Sequence, residues 1–270
     1  MKTLSSSLFM ALLAAFFTLP ASAETINCTP ITSLPATIGT QGLYCLTGNL
    51  ATSQVSGIAI NITANNVTLD LNGWKVGGQA AGTGTNAFGI YSTAVNVTVK
   101  NGIVRGFFAG IWLTGRGAVV QDMLVDQNTK TGIFVNGTGA VVEHNQVVDT
   151  GGSTNGTNVN AVGIEADSGG VKLNNNMVSG LTATGNGDEY GIFASGANSL
   201  VQNNFVTDTA VPTGGGSSFG IYQYGNSLAV NNTVSNFDYG IVNSGIYAHN
   251  TAYNCTTPYY LGTAGVGNSP

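Results

Sequence analysis

The 270-residue chain has few charged residues, 7% of the total, and a formal net charge of −5. With seven basic and twelve acidic residues it cannot neutralise phosphates by counterion release, which argues against nucleic acids and anionic membranes as partners. A surface with so few charges must consist of Asn, Thr, Ser and Gly, which suits turn-rich β structure and hydrogen bonding to neutral sugars.

The N-terminal residues have the pattern of a secretory signal peptide. Lys2 precedes an apolar run from Leu8 to Leu19, and Ala21-Ser22-Ala23 provides the small residues at which a signal peptidase cleaves. The apolar run is too short to span a membrane. We therefore expect a signal peptide at Met1–Ala23 and an exported mature protein, secreted or periplasmic, without a membrane anchor.

The next segment, Glu24–Asn49, is predicted to cap one end of the fold. It contains Pro30 and Pro35, and it holds two cysteines, Cys28 and Cys45, close together in the sequence. In an oxidising compartment, closing a loop of this size stabilises a protein by roughly 3 kcal/mol. We expect these two cysteines to form a disulfide.

Residues 50–256 repeat a two-part unit about every 20 to 32 residues, which predicts stacked coils because one such unit cannot bury its own apolar face. Each unit begins with a Gly-Ile pair, and an Asn or Asp follows about a dozen residues later. The pairs begin at Gly57, Gly89, Gly110, Gly132, Gly163, Gly191, Gly220 and Gly240. The second set comprises Asn72, Asn101, Asp122, Asn145, Asn176, Asn204, Asn232 and Asn250.

Each part of the unit has a predicted structural role. The Ile residues form one inward column of a strand, and the preceding Gly is expected to take a positive φ that turns the chain sharply into that strand. The Asn residues tolerate left-handed backbone angles and are predicted to form a hydrogen-bonded ladder at one corner. With three short parallel strands per coil, the units predict a triangular solenoid of about eight coils.

The Gly-Ile units, the Asn corners and the segment Val67-Thr-Leu-Asp-Leu-Asn-Gly-Trp74 resemble the right-handed parallel β-helix proteins of the pectate-lyase-like superfamily. The resemblance covers roughly Leu50 to Thr256 and implies an all-β, single-stranded right-handed parallel β-helix. It does not imply one activity, because that superfamily includes lyases, hydrolases, epimerases, adhesins and proteins with no known reaction.

The chain after the repeats, Thr257–Pro270, is predicted to form a C-terminal cap and a tail. Cys255, in the last coil, is expected to be a buried free thiol, with intermolecular pairing as the alternative. We expect the protein to be a monomer.

Long connections are predicted beside the Gly-Ile strands, and insertions in repeat proteins usually gather beside the binding face. If the Ile side chains point inward, the next residue points outward, in a column that reads Ala59, Tyr91, Trp112, Phe134, Glu165, Phe193, Tyr222 and Val242. Two residues further on, a polar column reads Asn61, Thr93, Thr114, Asn136, Asp167, Ser195, Tyr224 and Ser244.

An aromatic strip beside a polar strip predicts a platform for an extended polysaccharide, whose C–H faces stack on rings while its hydroxyl groups find polar partners. The predicted binding residues are Tyr91, Trp112, Phe134, Phe193, Tyr222 and Asn136. Two alternatives stay open: the rings stack on each other as a ladder without a ligand, or the opposite parity places them in the core.

Glu165 and Asp167 are the candidate catalytic residues. They share one face of one strand, so their Cα atoms should lie about 6.6 Å apart. This overlaps the separation of roughly 6.5–9.5 Å between the acid and the base of inverting glycosidases. The resemblance also implies such a role, because related β-helix hydrolases use paired carboxylates on this kind of sheet. Asp188 and Glu189 could join the pair; the alternative is that the acids are merely solvated.

No metal and no cofactor are predicted. Three acids near one corner lack the spacing of a calcium loop: Asp126, Asp149 and Asp208. Arg105 and Asp126 instead predict an ion pair between coils, and Lys130 and Arg116 are the basic residues expected near the aromatic sheet.

Two functions are consistent with the sequence. The first is an exported carbohydrate-active protein that binds an extended polysaccharide along the Gly-Ile sheet, with possible glycoside cleavage at Glu165 and Asp167. The second is a non-catalytic surface, matrix or adhesion scaffold that uses its rigid rod as a spacer. Whether the protein is an enzyme is left open.

Overall fold

The structure is a computed structural model that describes residues 27–209 and 215–270. The predicted signal peptide, Met1–Ala23, lies outside the described residues. Two long sheets contain almost all of the regular structure in these two ranges, and the strands within each sheet pair in parallel. A single turn of 3-10 helix at Gln79–Ala81 lies in a connecting loop.

The first sheet, which we call the Gly-Ile sheet, has ten strands and follows chain order from end to end. Each coil contributes one strand to it, and each strand pairs with those of the coils before and after. Its strands are Ala36–Ile38, Ile58–Ile62, Phe88–Ser92, Ala109–Leu113, Thr131–Val135, Ala161–Ala166, Glu189–Ala194, Ser218–Gln223, Tyr239–Asn243 and Thr257–Tyr260.

The second sheet, which we call the corner sheet, has eighteen strands, usually two per coil on either side of the Asn corner. Its strands are Thr29–Ile31, Gly42–Leu46, Leu50–Ala51, Val67–Asp70, Lys75–Gly77, Thr98–Arg105, Val119–Asp126, Val141–Glu143, Gln146–Gly151, Lys172–Asn174, Met177–Thr182, Leu200–Gln202, Phe205–Thr207, Leu228–Val230, Thr233–Ser235, Ile246–Ala248, Thr251–Tyr253 and Thr263–Ala264. The molecule is a right-handed parallel β-helix, as the resemblance implies.

One inward column of isoleucines forms the centre of the core. Its members have no exposed surface: Ile60, Ile90, Ile111, Ile133, Ile164, Ile192, Ile221 and Ile241. The first member differs from the sequence prediction, because Ile60 and not Ile58 pairs with Ile90. Ala59 is therefore buried beside it, not exposed, and Asn61 takes the place expected for Ala59 in the outward column.

The prediction that the Gly of each Gly-Ile pair takes a positive φ is wrong for most of the coils. Of the eight glycines only Gly57 has one, at 93°. The other seven are required by close packing. A Cβ on Gly89 would lie 2.5 Å from the Gly110 carbonyl oxygen and 2.7 Å from Cγ1 of Val104. Both distances are shorter than a van der Waals contact, so no side chain fits this inward position.

The Asn corner consists of two adjacent positions that the sequence prediction merged into one. Gln121 pairs with Glu143 and Leu124 with Gln146, so Asp122 lies opposite His144 and Met123 lies opposite Asn145. The first position has left-handed backbone angles, with φ between 53° and 57°, at Asn101, Asp122, His144, Asn175, Asn203, Asn231 and His249.

The second position carries a buried amide ladder along the axis of the helix. Its members are Asn145, Asn176, Asn204, Asn232, Asn250 and Asn268. Asn204 is typical, because its Oδ1 accepts from the backbone N–H and from the Nδ2 of Asn176, at 2.9 and 3.0 Å. Its own Nδ2 donates to the Leu173 carbonyl oxygen at 3.0 Å. The ladder thus satisfies buried amides that would otherwise destabilise the fold.

Both predicted caps contribute strands to the sheets. Ala36–Ile38 and Thr257–Tyr260 are the end strands of the Gly-Ile sheet, and Tyr259 continues the isoleucine column after Ile241. The predicted disulfide between Cys28 and Cys45 is present, and Cys255 is a half-buried free thiol.

Candidate functional site

The five predicted aromatic residues lie in one column on the outer face of the Gly-Ile sheet. Strand pairing aligns them in consecutive coils around Glu165, which takes the place of a ring between Phe134 and Phe193. We call this set the aromatic strip: Tyr91, Trp112, Phe134, Phe193 and Tyr222. All are half-buried except Phe134, which is only 5% exposed. The rings lie outside the prism that the strands of the coils enclose. The alternative in which the opposite parity places them in the core is therefore wrong.

The rings of the strip also contact one another. Trp112 stacks on Phe134 with centroids 3.8 Å apart and an angle of 17° between the planes. Phe193 and Tyr222 have centroids 5.8 Å apart at a tilt of 34°. The burial of Phe134 is explained by this stacking, because Trp112 covers one of its faces. Ring contacts of this kind stabilise a parallel ladder and also present a continuous apolar surface.

A second set of aromatic residues flanks the strip and was not predicted from the sequence. These residues lie immediately before the Gly of the Gly-Ile pair: Phe88, Tyr190, Phe219 and Tyr239. Phe88 contacts Trp112 at 5.4 Å, and Tyr190 contacts Phe193 at 5.1 Å, each edge to face. Regular alternation would place a residue two positions before the buried Ile inside the prism. Here the Gly and the Ile both face the core, which interrupts the alternation, and the aromatic residue before them therefore lies outside.

The polar column lies beside the strip, two residues after each strip position and directly after the end of each strand. Asn136 is exposed, and its backbone N–H donates to the Leu113 carbonyl oxygen at 2.9 Å. Ser195 donates from Oγ to Oδ1 of Asp167 at 2.9 Å, which fixes the orientation of that carboxylate. Near the C-terminal end, the hydroxyl groups of Tyr222 and Tyr224 lie 3.0 Å apart. Amide, carboxylate and hydroxyl groups thus follow the rings along the axis.

Glu165 has an unusual electrostatic environment for a surface acid. Burial between the neighbouring rings disfavours its charged form, and the carboxylate of Asp167 adds repulsion, while Lys130 opposes both effects. The result raises the pKa of Glu165 from an ordinary 4.5 to about 7. At neutral pH Glu165 is therefore far more often protonated than an exposed glutamate. This is the state that a general acid requires.

Lys130 is the basic side chain that the sequence did not assign to the acid pair. Its ammonium group lies 5.3 Å from the centre of the Phe108 ring, in a cation–π contact. It is close enough to Glu165 to lower the pKa of that carboxyl. Arg116, the other basic residue expected near the sheet, is exposed on a turn. Its backbone carbonyl oxygen accepts a hydrogen bond from the Asn96 backbone N–H.

Asp188 and Glu189 hold the backbone of the loops instead of extending the acid pair. Asp188 accepts from the Ser217 backbone N–H at 2.9 Å and from the Tyr190 hydroxyl at 3.2 Å. Glu189 is 7% exposed and accepts from the Ala183 backbone N–H at 2.9 Å. Burial raises its pKa, and Asp208 acts in the same direction.

Arg105 and Asp126, near the corner sheet, form the predicted ion pair. Arg105 Nη2 lies 3.0 Å from Oδ2 of Asp126, on the next coil. Burial nevertheless raises the pKa of Asp126, against the lowering effect of Arg105. Within residues 27–209 and 215–270, no three His, Cys, Asp or Glu side chains are grouped so that they could hold a metal ion.

The long connections form a wall on one side of the strip. Two coils have short connections before their Gly-Ile strands, residues 106–108 and 127–130. Residues 152–160 cross these two coils and reach the loop before Phe88. There the Thr154 N–H donates to the Thr83 carbonyl oxygen at 3.1 Å, and Asn155 Nδ2 donates to the Thr85 carbonyl oxygen at 2.6 Å. We call this contact the loop bridge.

In the part of the chain that is described, no helix has the length and apolar character needed to cross a membrane.

Among solved structures, the chain is similar to the Dettilon tailspike protein (gp208), with a TM-score of 0.61 and 15% sequence identity. The match covers 88% of this chain and 51% of that chain, so the protein spans about half the length of the tailspike chain. At this identity the similarity supports the β-helix fold alone.

Two weaker structural matches are the Azotobacter vinelandii mannuronan C-5 epimerase AlgE6 A-module and the catalytic domain of a GH87 alpha-1,3-glucanase in complex with nigerose. The first has a TM-score of 0.38 and 13% identity over 89% of each chain. The second has a TM-score of 0.31 and 14% identity over 88% of this chain and 62% of that chain. Both scores are too low to support an argument about this protein. No family model and no curated protein matches the sequence.

Proposed function

We propose that the protein is exported and binds an extended, uncharged polysaccharide along the aromatic strip. The observation that carries this proposal is the column of rings that lies outside the prism in successive coils and stays partly exposed. A sugar ring stacks on an aromatic face through its C–H groups, and the polar column beside the strip supplies hydrogen-bond partners for its hydroxyl groups.

The direction of the bound chain follows from the geometry of the coils. Successive coils are about 4.8 Å apart, so the strip from Tyr91 to Tyr222 extends about 24 Å along the helix axis. A chain of several sugars that lies parallel to the axis contacts all five rings, whereas a chain across the sheet contacts only one or two. The proposal therefore specifies a polymer or a long oligosaccharide, and not a single sugar.

The charges near the strip favour an uncharged glycan over a polyanionic one. Glu165 and Asp167 lie within the strip and the polar column, and the whole chain has a net charge of −5. A chain of uronic acids would bring repeated negative charges against these carboxylates. A neutral chain would not, and its hydroxyl groups would donate to them.

We further propose that Glu165 and Asp167 cleave the bound chain as an acid and a base. Protonated Glu165 would donate its proton to the glycosidic oxygen, and ionised Asp167, oriented by Ser195, would take a proton from the attacking water. Glu165 lies on the strand Ala161–Ala166 and Asp167 directly follows it, so the two carboxyl groups are close enough for the repulsion of Asp167 to raise the pKa of Glu165. The position of the pair between two groups of rings places the scissile bond within the bound chain.

The proposal is tested with a panel of neutral polysaccharides and their oligosaccharides, measured by calorimetry for binding and by chromatography for products. Trp112→Ala should weaken binding roughly tenfold or more, because it removes the largest ring of the strip. The matched control is Phe205→Ala, since that ring is 41% exposed on the corner sheet. Failure of the wild-type protein to bind any glycan would remove the proposal.

Cleavage is tested separately from binding. Glu165→Gln should lower turnover by a factor of about 10² to 10⁴ and leave binding unchanged, because Gln keeps the shape and lacks the proton. Glu143→Gln, a half-buried acid on the corner sheet, is the matched control. Binding without turnover in any sample would leave a polysaccharide-binding protein and exclude the catalytic role.

The second candidate function is a non-catalytic scaffold for a surface or matrix. One observation favours it: the rings pack against one another, and Phe134 is only 5% exposed. In that case the strip stabilises the rod and binds no ligand, and Trp112→Ala lowers the melting temperature without changing any glycan interaction.

A further inference from the structure

A cavity of about 390 Å³ lies beside the aromatic strip, next to the loop bridge. Phe108 and Lys130 line it, together with the amide side chains of Asn86, Asn155, Asn158 and Asn160. An aromatic ring combined with several amides is a set of groups that suits a sugar, because the ring contacts its C–H face and the amides contact its hydroxyl groups.

The loop bridge fixes the position of one of these amides. Asn155 Nδ2 donates to the Thr85 carbonyl oxygen at 2.6 Å and to Oδ1 of Asn86 at 3.0 Å. The two residues lie about 70 positions apart in the sequence, and the bond joins the loops on either side of two coils with short connections. The cavity is therefore built by tertiary contacts and does not depend on one flexible loop.

Two further amides are held by the next long loop. Oδ1 of Asn158 accepts from the Asn186 backbone N–H at 2.8 Å, and Oδ1 of Asn160 accepts from the Asp188 backbone N–H at 2.9 Å. Because each amide uses its oxygen to hold the loop, its NH₂ group is the part left to donate to a ligand. Donors fixed in this way lose little conformational freedom on binding.

The cavity adjoins the strip but does not lie on its line. Phe108 contacts Phe88 at 6.3 Å between ring centres, and Phe88 contacts Trp112 at 5.4 Å. The path from the cavity to the strip therefore runs across the sheet, whereas the proposed polysaccharide runs along the helix axis. A linear chain that contacts the whole strip cannot also enter the cavity.

We infer that the cavity binds a side-branch sugar of the polysaccharide, so that the preferred ligand is a branched neutral glycan. This inference rests on the proposed function. The branch stacks on Phe108 and accepts hydrogen bonds from the NH₂ groups of Asn158 and Asn160 and from Lys130. Lys130 also acts on Glu165, so its charge is shared with a carboxyl of the protein, which favours a hydroxyl group over an anionic branch.

The test compares linear and branched members of matched pairs: mannan and galactomannan oligosaccharides, cellohexaose and xyloglucan oligosaccharides, linear xylan and arabinoxylan oligosaccharides. Wild-type protein should bind the branched member of at least one pair roughly tenfold more tightly. Val159→Trp fills the cavity, and its backbone bonds to Thr184 are unaffected by the side chain. Phe108→Leu removes the aromatic wall.

Both variants should bind the branched member no better than the linear one and leave binding of the linear member unchanged. Val230→Trp, on the outer face of the corner sheet, is the matched control and should keep the wild-type preference. Melting curves check that each variant is folded, and a crystal structure with the preferred branched oligosaccharide should show a sugar ring against Phe108.

The inference is overturned if no pair shows a preference for the branched member, or if Val159→Trp retains it. Binding of linear glycans that Trp112→Ala abolishes, without any effect of branching, would overturn this inference and leave the proposed function intact. Failure to bind any member of any pair would overturn both.

Discussion

The two repeated corners of each coil are built in opposite ways. At the Gly-Ile corner a side chain must be absent, because a Cβ on Gly191 would meet Cγ1 of Val206 and lie 2.5 Å from the Gly220 carbonyl oxygen. At the Asn corner a side chain must be present, because the amide of Asn204 bonds to the coils on both sides. One corner is determined by volume and the other by hydrogen bonding.

This difference explains why the candidate site lies where it does. At the Gly-Ile corner two successive residues face the core, so the aromatic residue before each Gly and the residue after each Ile both lie on the outer face. At the Asn corner the side-chain amides are buried, and their hydrogen bonds are made within the ladder. The repeated residue that lies closest to the exposed rings is therefore the Gly, which has no side chain.

The largest expected effect comes from filling the steric corner. Gly191→Ala should lower the free energy of unfolding by about 3–5 kcal/mol, because the new methyl group overlaps a backbone carbonyl that cannot move without breaking the sheet. Gly48→Ala is the matched control, since no atom lies within 4 Å of its added Cβ. Urea unfolding measures both, and equal stabilities of the two variants would contradict the steric explanation.

Removing one amide from the ladder should have the next largest effect. Asn204→Ala removes the acceptor of the buried Asn176 backbone N–H, one of the two acceptors of the Asn176 NH₂ group, and a donor to the Leu173 carbonyl oxygen, at a cost of about 3 kcal/mol. Asn226→Ala, on an exposed bend, should change stability by less than about 0.5 kcal/mol. Hydrogen exchange should locate the loss of protection at the corner; a loss spread evenly over the molecule would argue against a ladder.

The smallest expected effect is a pH dependence of stability that arises at the Gly-Ile sheet and not at the Asn corner. The ladder contains only neutral amides, whereas the Gly-Ile sheet carries Glu165, whose pKa is raised to about 7 by burial. Folding favours the protonated acid, so the contribution of Glu165 to stability is fully present below pH 4.5 and is lost as the pH rises to about 7. Glu165→Gln should therefore exceed wild type in stability by roughly 2–3 kcal/mol at pH 8 and equal it at pH 4.

Thermal unfolding across this pH range measures the difference between the two proteins. Glu143→Gln is the control and should keep the wild-type pH profile. Parallel pH profiles of Glu165→Gln and wild type would show that the environment of Glu165 is no different from that of an exposed acid.

Much of the fold and part of the site could be predicted from particular residues. The alternation after each buried Ile places Trp112 and Phe193 on the outer face, and the disulfide of Cys28 with Cys45 follows from their proximity in the sequence. The first coil was misaligned because Gly57-Ile58 imitates the repeat while Ile60 takes its place in the sheet. Phe88 was missed because strict alternation does not allow Gly89 and Ile90, which follow one another, both to face the core.

The period of the coil and the column to which most residues belong can be read from the residues alone, because a stacked repeat needs the same packing at each level. Which distant groups meet depends on the folded chain: Lys130 with Glu165, and Asn155 with Thr85. These contacts depend on the paths of loops of unequal length and on the burial that neighbouring coils produce. Neither quantity is encoded in the repeat, so the electrostatics of the site and the cavity beside it appear only in the folded molecule.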